Sequence, residues 1–241
     1  MVTSVFSQII SDLKSASHAE KASFFPRFFK CGPGEYGEGD KFLGVTVPVQ
    51  RSIAKKFWKK VGAPELAVLL RHEYHEVRLT GLFMLTEKYR TSKTAKDKAF
   101  WAGFYLDHLD GVNNWDLVDS SADKILGSWL EDKNRSILYD FADSGDLWRQ
   151  RIAVMATFHF IRQGEFRDTF KIAEILLNHP HDLIHKAVGW MLREIANRDH
   201  QSACDFLQRH YKVMPRTMLR YAIEKFDPGI RKTILAGNWA N

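Results

Sequence analysis

Five segments of this sequence open alike and recur at a nearly constant interval. They begin at Arg78, Trp115, Arg151, Lys186 and Arg220, so the starts lie 37, 36, 35 and 34 residues apart. Each is a short run of small and apolar residues, as in Arg151-Ile-Ala-Val-Met and Lys186-Ala-Val-Gly-Trp, with a more polar stretch before it. That period suits two-helix repeats. One pair cannot bury its apolar face alone, so stacked pairs share a continuous core. Hydrophobic spacing agrees. Segments 65–89, 151–162 and 184–196 carry apolar residues at three- and four-residue intervals, and strand-like alternation bounded by turns is hard to find. The expectation is an all-α helical-repeat superhelix, an α-solenoid with a concave face, running over 1–241 as one domain. A chain of 241 residues can bury most of its apolar surface without staples.

One stretch departs from the pattern. Residues 31–48, CGPGEYGEGDKFLGVTVP, hold five Gly and two Pro and read as a loop. It is either a connector or a flap over a site.

The net charge of +6 matters because a basic chain favours polyanions such as nucleic acid or anionic lipid. Residues 145–241 hold 15 Lys/Arg against 10 Asp/Glu, and residues 1–144 hold 20 against 19. The register sharpens this. The first residue of the unit is basic in four of five units: Arg78, Arg151, Lys186 and Arg220. Such a register would set a ladder of cations along the concave face. The second unit has Trp115 in that slot. Four residues on, the units carry Leu82, Asp119, Met155, Trp190 and Glu224. The second and fourth units thus place Trp, Asp and Trp where a generic repeat needs packing residues.

A spacing of four puts Trp115 and Asp119 on one helical face. The pair is either a solvated charge beside a core aromatic or a functional carboxylate beside a binding surface. Asp123 shares the stripe, and Asp116 points elsewhere. Lys186, Trp190 and Arg193 form a second stripe, basic at both ends and aromatic between, as nucleic-acid surfaces are. The alternative is a core Trp190 with snorkelling cations. Trp148, Arg149 and Arg151 open the third unit, where an Arg can hold a phosphate bidentately or form a surface ion pair.

Other chemistries find little support. Cys31 and Cys204 are isolated, which suits a reducing cytoplasmic setting and suggests neither a disulfide framework nor a metal cluster. His179, His181 and His185 come closest to a metal cluster but nothing completes it, so neither a metal nor another cofactor is expected. Gly32–Gly39 lacks the context of a phosphate loop. No apolar run approaches a membrane span, and the first residues do not read as a signal peptide.

Four segments together resemble the AlkD-like family of bacterial DNA alkylation repair glycosylases. They are Phe42-Leu-Gly-Val-Thr-Val-Pro48, Asn114-Trp-Asp-Leu-Val-Asp-Ser120, Leu147-Trp-Arg-Gln-Arg-Ile-Ala153 and Lys186-Ala-Val-Gly-Trp-Met-Leu-Arg-Glu194. They occur in the family's order and span nearly the whole chain. The resemblance implies HEAT-like repeats and hydrolytic, monofunctional excision of cationic N3- and N7-alkylpurines from duplex DNA. It places the catalytic carboxylate on Asp119, the site aromatics on Trp115 and Trp190, and a DNA-contacting Arg on Arg151. Lys186, Arg193, Trp148 and Thr46 are the further expected DNA contacts. The Thr46-Val47 pair is less polar than the family's, and the loop before Phe42 is richer in Gly. The competing reading is a non-catalytic HEAT-repeat scaffold for DNA or protein, which has no need of an Asp flanked by two aromatics. A solenoid with capped ends is expected to be a monomer.

Overall fold

The computed structural model describes residues 4–239. They form fifteen α-helices and no strand; an isolated bridge joins Lys41 to Tyr74. The chain divides into two compact units, Met1–Trp129 and Leu130–Asn241. The first holds α1 (Val5–Ser15), α2 (Ala19–Phe28), α3 (Val47–Phe57), α4 (Ala63–Leu70), α5 (His75–Thr91), α6 (Ala95–Leu106) and α7 (Trp115–Ser121). The second holds α8 (Ser136–Asp143), α9 (Leu147–Ala156), α10 (Phe158–Ile161), α11 (Arg167–Ile175), α12 (Asp182–Ala196), α13 (His200–His210), α14 (Arg216–Ala222) and α15 (Pro228–Leu235).

The five repeat segments fall in α5, α7, α9, α12 and α14, each with a helix before it. Within the first unit α5 packs on α7; within the second, α9 packs on α12 and α12 on α14. Local chemistry starts these helices. Thr94, Asp146 and Asp199 each accept a hydrogen bond from the backbone N–H three residues on, which satisfies a donor the helix cannot. Segment 65–89 is two helices, because Tyr74 and His75 are tied by backbone contacts to Lys41 at the break.

Each unit has its own core. Leu66, Leu82, Met84, Leu117 and Val118 are buried in the first, and Ile152, Phe160, Ala187, Met191 and Phe206 in the second. Gly189 makes one of these contacts possible. A Cβ there would stand 2.5 Å from the Met218 carbonyl oxygen, so only glycine lets α12 lie this close to α14. The glycine of the Lys-Ala-Val-Gly-Trp segment is therefore a packing residue.

The Gly-rich loop is a pinned connector. Glu76, buried on α5, accepts hydrogen bonds from the backbone N–H groups of Leu43, Gly44 and Val45 at 2.8–3.2 Å. Gly44 has φ of 81°, and a Cβ on it would meet the His18 carbonyl oxygen at 2.1 Å. The uneven charge also disappears at the structural boundary: residues 1–129 hold 18 Lys/Arg against 15 Asp/Glu, and residues 130–241 hold 17 against 14. Among the described residues no helix is long and apolar enough to cross a membrane.

Candidate functional site

In the first unit the candidate residues sit on α7. Asn114 precedes it and accepts a hydrogen bond from the Trp115 N–H through its side-chain oxygen at 2.9 Å. Trp115 is half-buried, stacked on Phe29 with ring centroids 5.5 Å apart and planes at 19°. Phe28, about half exposed, meets Trp115 edge-on at 5.9 Å. Asp119 follows one turn later, also half-buried. A π-helical turn, Asp123–Gly127, begins four residues beyond it; such turns re-aim backbone and often lie at functional sites.

A helix of seven residues has little stability of its own. What fixes α7 is a buried charged cluster. His75, at the start of α5, uses both ring nitrogens: Nδ1 lies 2.9 Å from Asp40 Oδ2 and Nε2 lies 2.9 Å from Asp116 Oδ2. Arg78 donates to Asp40 Oδ1 at 2.6 Å and to Asn113 Oδ1 at 3.0 Å. Burial opposes the imidazolium, but the Asp116 carboxylate and the hydrogen bonds to Asp116 and Asp40 outweigh it and raise the His75 pKa to about 9. Burial likewise works against an ionised Asp40, yet the hydrogen bond to His75 and the Arg78 charge hold its pKa below the usual value. Two carboxylates thus face two cations, and the buried charges balance. The His75 ring lies against Phe29 at 4.7 Å and Phe42 at 5.0 Å, so the cluster and the Trp115 stack share Phe29. Cys31 lies close by, and burial with the nearby Asp40 and Glu35 charges pushes its thiol up to about 11.

This cluster joins residues 35 to 41 positions apart, and no local pattern in the sequence announces it. Asp116 anchors α7 through its contact with His75. Thr46, the remaining candidate of this unit, precedes α3 and makes no side-chain capping bond.

In the second unit, α12 carries Lys186, Trp190 and Arg193, all half-buried. Lys186 pairs with Asp182 at 2.6 Å, Trp190 donates its indole N–H to Glu194 at 3.2 Å, and Arg193 pairs with Glu224. On α9, Trp148 is half-buried and Arg151 is 5% exposed, its guanidinium donating to the Leu183 carbonyl oxygen at 2.5 Å. The cation ladder is accordingly not a solvent-facing row. Arg78 and Arg151 are buried and hold backbone or buried partners, and of the four only Arg220 falls among the exposed residues. His179 and His185 serve the turn before α12: His179 Nε2 meets Gln150 and His185 Nε2 meets the His179 carbonyl oxygen.

The family model for DNA alkylation repair enzymes matches residues 9–226, nearly the whole chain. The chain belongs to the DNA alkylation repair enzyme family. DNA alkylation repair is its functional class and DNA its substrate. The fold is similar to that of a solved structure, a predicted DNA alkylation repair enzyme from Enterococcus faecalis, with a TM-score of 0.69 over 88% of this chain and 97% of that one. Identity between the two is 15%, so that likeness concerns the fold. No curated protein compared with the chain matches it. The four segments that resemble the family all lie inside the matched span.

Proposed function

We propose that the chain is a monofunctional DNA glycosylase that hydrolyses the N-glycosidic bond of N3- and N7-alkylated purines in duplex DNA, with Asp119 as the catalytic carboxylate. One observation carries this reading: Trp115 and Asp119 share one face of α7, a short helix locked by the buried Asp40–His75–Asp116 cluster. Preorganised charge is what such a reaction needs.

An N3- or N7-alkylated purine is already cationic. It leaves without a general acid, so one of the two carboxylates of an ordinary glycosidase is dispensable. The bond breaks towards a sugar oxocarbenium ion. A carboxylate beside that ion stabilises it and orients the attacking water, whose oxygen joins C1′ while its proton passes to the carboxylate. An aromatic face adds cation–π attraction on the order of 0.5–2 kcal/mol. Trp115 supplies one such face, and the resemblance assigns Trp190 a matching role. Selectivity then comes from the lability of the charged base. HEAT-like repeats, a concave DNA-binding face and a monomeric state belong to the same proposal.

Incubation of the protein with N-methylated duplex DNA tests it. Free 3-methyladenine and 7-methylguanine are expected in the supernatant, with abasic but unbroken strands. Absence of free base under conditions where the duplex is bound would refute catalysis and favour a DNA-binding scaffold.

A further inference from the structure

Trp190 is held by its polar edge. It lies half-buried on α12 and donates its indole N–H to Oε1 of Glu194, one turn on, at 3.2 Å. The Glu194 side chain is 18% exposed, so its carboxylate is largely withdrawn from water. Its second oxygen, Oε2, accepts from the Arg198 guanidinium at 2.8 Å, and the same nitrogen donates to the Glu194 carbonyl oxygen at 2.8 Å. Both carboxylate oxygens are therefore engaged, and the charge is balanced within the unit. A carboxylate in that state is a fixed acceptor, not a base or a nucleophile.

Phe158 of α10 closes the circuit. Its ring centroid lies 6.3 Å from that of Trp190, with the planes at 46°. The Arg198 guanidinium stands 5.8 Å from the Phe158 centroid, and that of Arg162 stands 4.6 Å from it. Two helices thus grip one indole, and they do different things. The ring contact from α10 is non-directional and fills space beside the indole. The hydrogen bond is directional, and the indole N–H is a donor only. An acceptor one turn along the same helix therefore fixes how the ring turns about its side-chain torsions. Trp115, in the first unit, is held otherwise, by stacking on Phe29.

We infer that Glu194 is a positioning residue: it orients the Trp190 indole so that the ring face meets the cationic base, and Arg198 holds Glu194 in turn. The inference rests on the role proposed for Trp190. Cation–π attraction acts over the ring face and is lost when the ring turns edge-on, because the edge is positive. Without its acceptor the indole N–H turns towards water, and the face turns with it. The test compares Glu194→Leu, which removes the acceptor but keeps a good helix former, with Glu194→Gln, which restores an acceptor oxygen. In nitrogen-15-labelled protein the Trp190 indole signal is assigned by its loss in Trp190→Phe. It should move upfield and exchange faster with water in Glu194→Leu, and stay near its wild-type position in Glu194→Gln. The other six of the seven Trp signals should hold still and report an intact fold. A misplacement of about 1 Å can cost about a hundredfold in rate, so single-turnover release of 7-methylguanine should slow by roughly ten- to a hundredfold in Glu194→Leu and recover to within about threefold in Glu194→Gln. Affinity for undamaged duplex should stay unchanged in both, as expected when only the transition state loses an interaction. An unmoved Trp190 signal in Glu194→Leu, or wild-type release by that variant, overturns the inference. Equal slowing in the two variants overturns it as well, because the charge and not the acceptor then matters. Wild-type protein that frees no base refutes the proposed reaction and the positioning role with it, whereas wild-type activity kept by Glu194→Leu refutes the positioning role alone.

Discussion

Replacing His75 by Ala tests the buried cluster that holds α7. The substitution leaves Asp40 and Asp116 buried with Arg78 as their remaining cation. Two routes give the cost. Removing one partner of a buried pair costs about 3–5 kcal/mol. Independently, a pKa raised from 6.5 to about 9 corresponds to about 3 kcal/mol of preference for the charged form in the folded state. For a chain of this size that lowers the melting temperature by about 6–12 °C. The sign of the pH dependence follows from the raised pKa. Below pH 6.5 His75 is protonated both folded and unfolded, and the stabilisation is complete. Between 6.5 and about 9 the folded chain keeps a proton that the unfolded chain releases. Stability therefore falls as pH rises, by up to about 1.4 kcal/mol per unit, and the contribution is gone above about 9. The assay is thermal unfolding of the wild type and His75→Ala from pH 6 to 9.5. The gap between them should narrow towards high pH. A gap that stays constant across that range would refute a charged His75.

Other perturbations follow from single contacts. Glu76→Gln weakens charge-assisted bonds worth about 1.5–3 kcal/mol each, so the amides of Leu43, Gly44 and Val45 should exchange hydrogen at least tenfold faster. Gly189→Val forces a side chain against the Met218 carbonyl and should cost about 1–3 kcal/mol, seen as an earlier unfolding transition. Arg151→Ala removes the buried bond to Leu183 and should lower stability by about 1–3 kcal/mol while leaving the salt slope of DNA binding unchanged. A slope lower by about one would instead restore Arg151 as a phosphate contact.

The parts of the fold written in short-range spacing were legible. Apolar periodicity located the repeat helices, and the four-residue step from Trp115 to Asp119 put both on one face. The Asp40–His75–Asp116 cluster was not legible, because it joins two helices and a loop through residues far apart in sequence. The same holds for Glu76, whose charge turns a Gly-rich loop into a fixed connector from more than thirty residues away. Counting charges misled where the count ignored burial and pairing: Arg78 and Arg151 look like surface cations in sequence, and packing takes both inside.

The central claim concerns Asp119, and one comparison tests it most directly. Wild type and Asp119→Asn are given the same N-methylated duplex, and free 7-methylguanine is measured alongside duplex affinity. Loss of base release with affinity retained is the expected result. Release by Asp119→Asn at the wild-type rate would contradict the assignment.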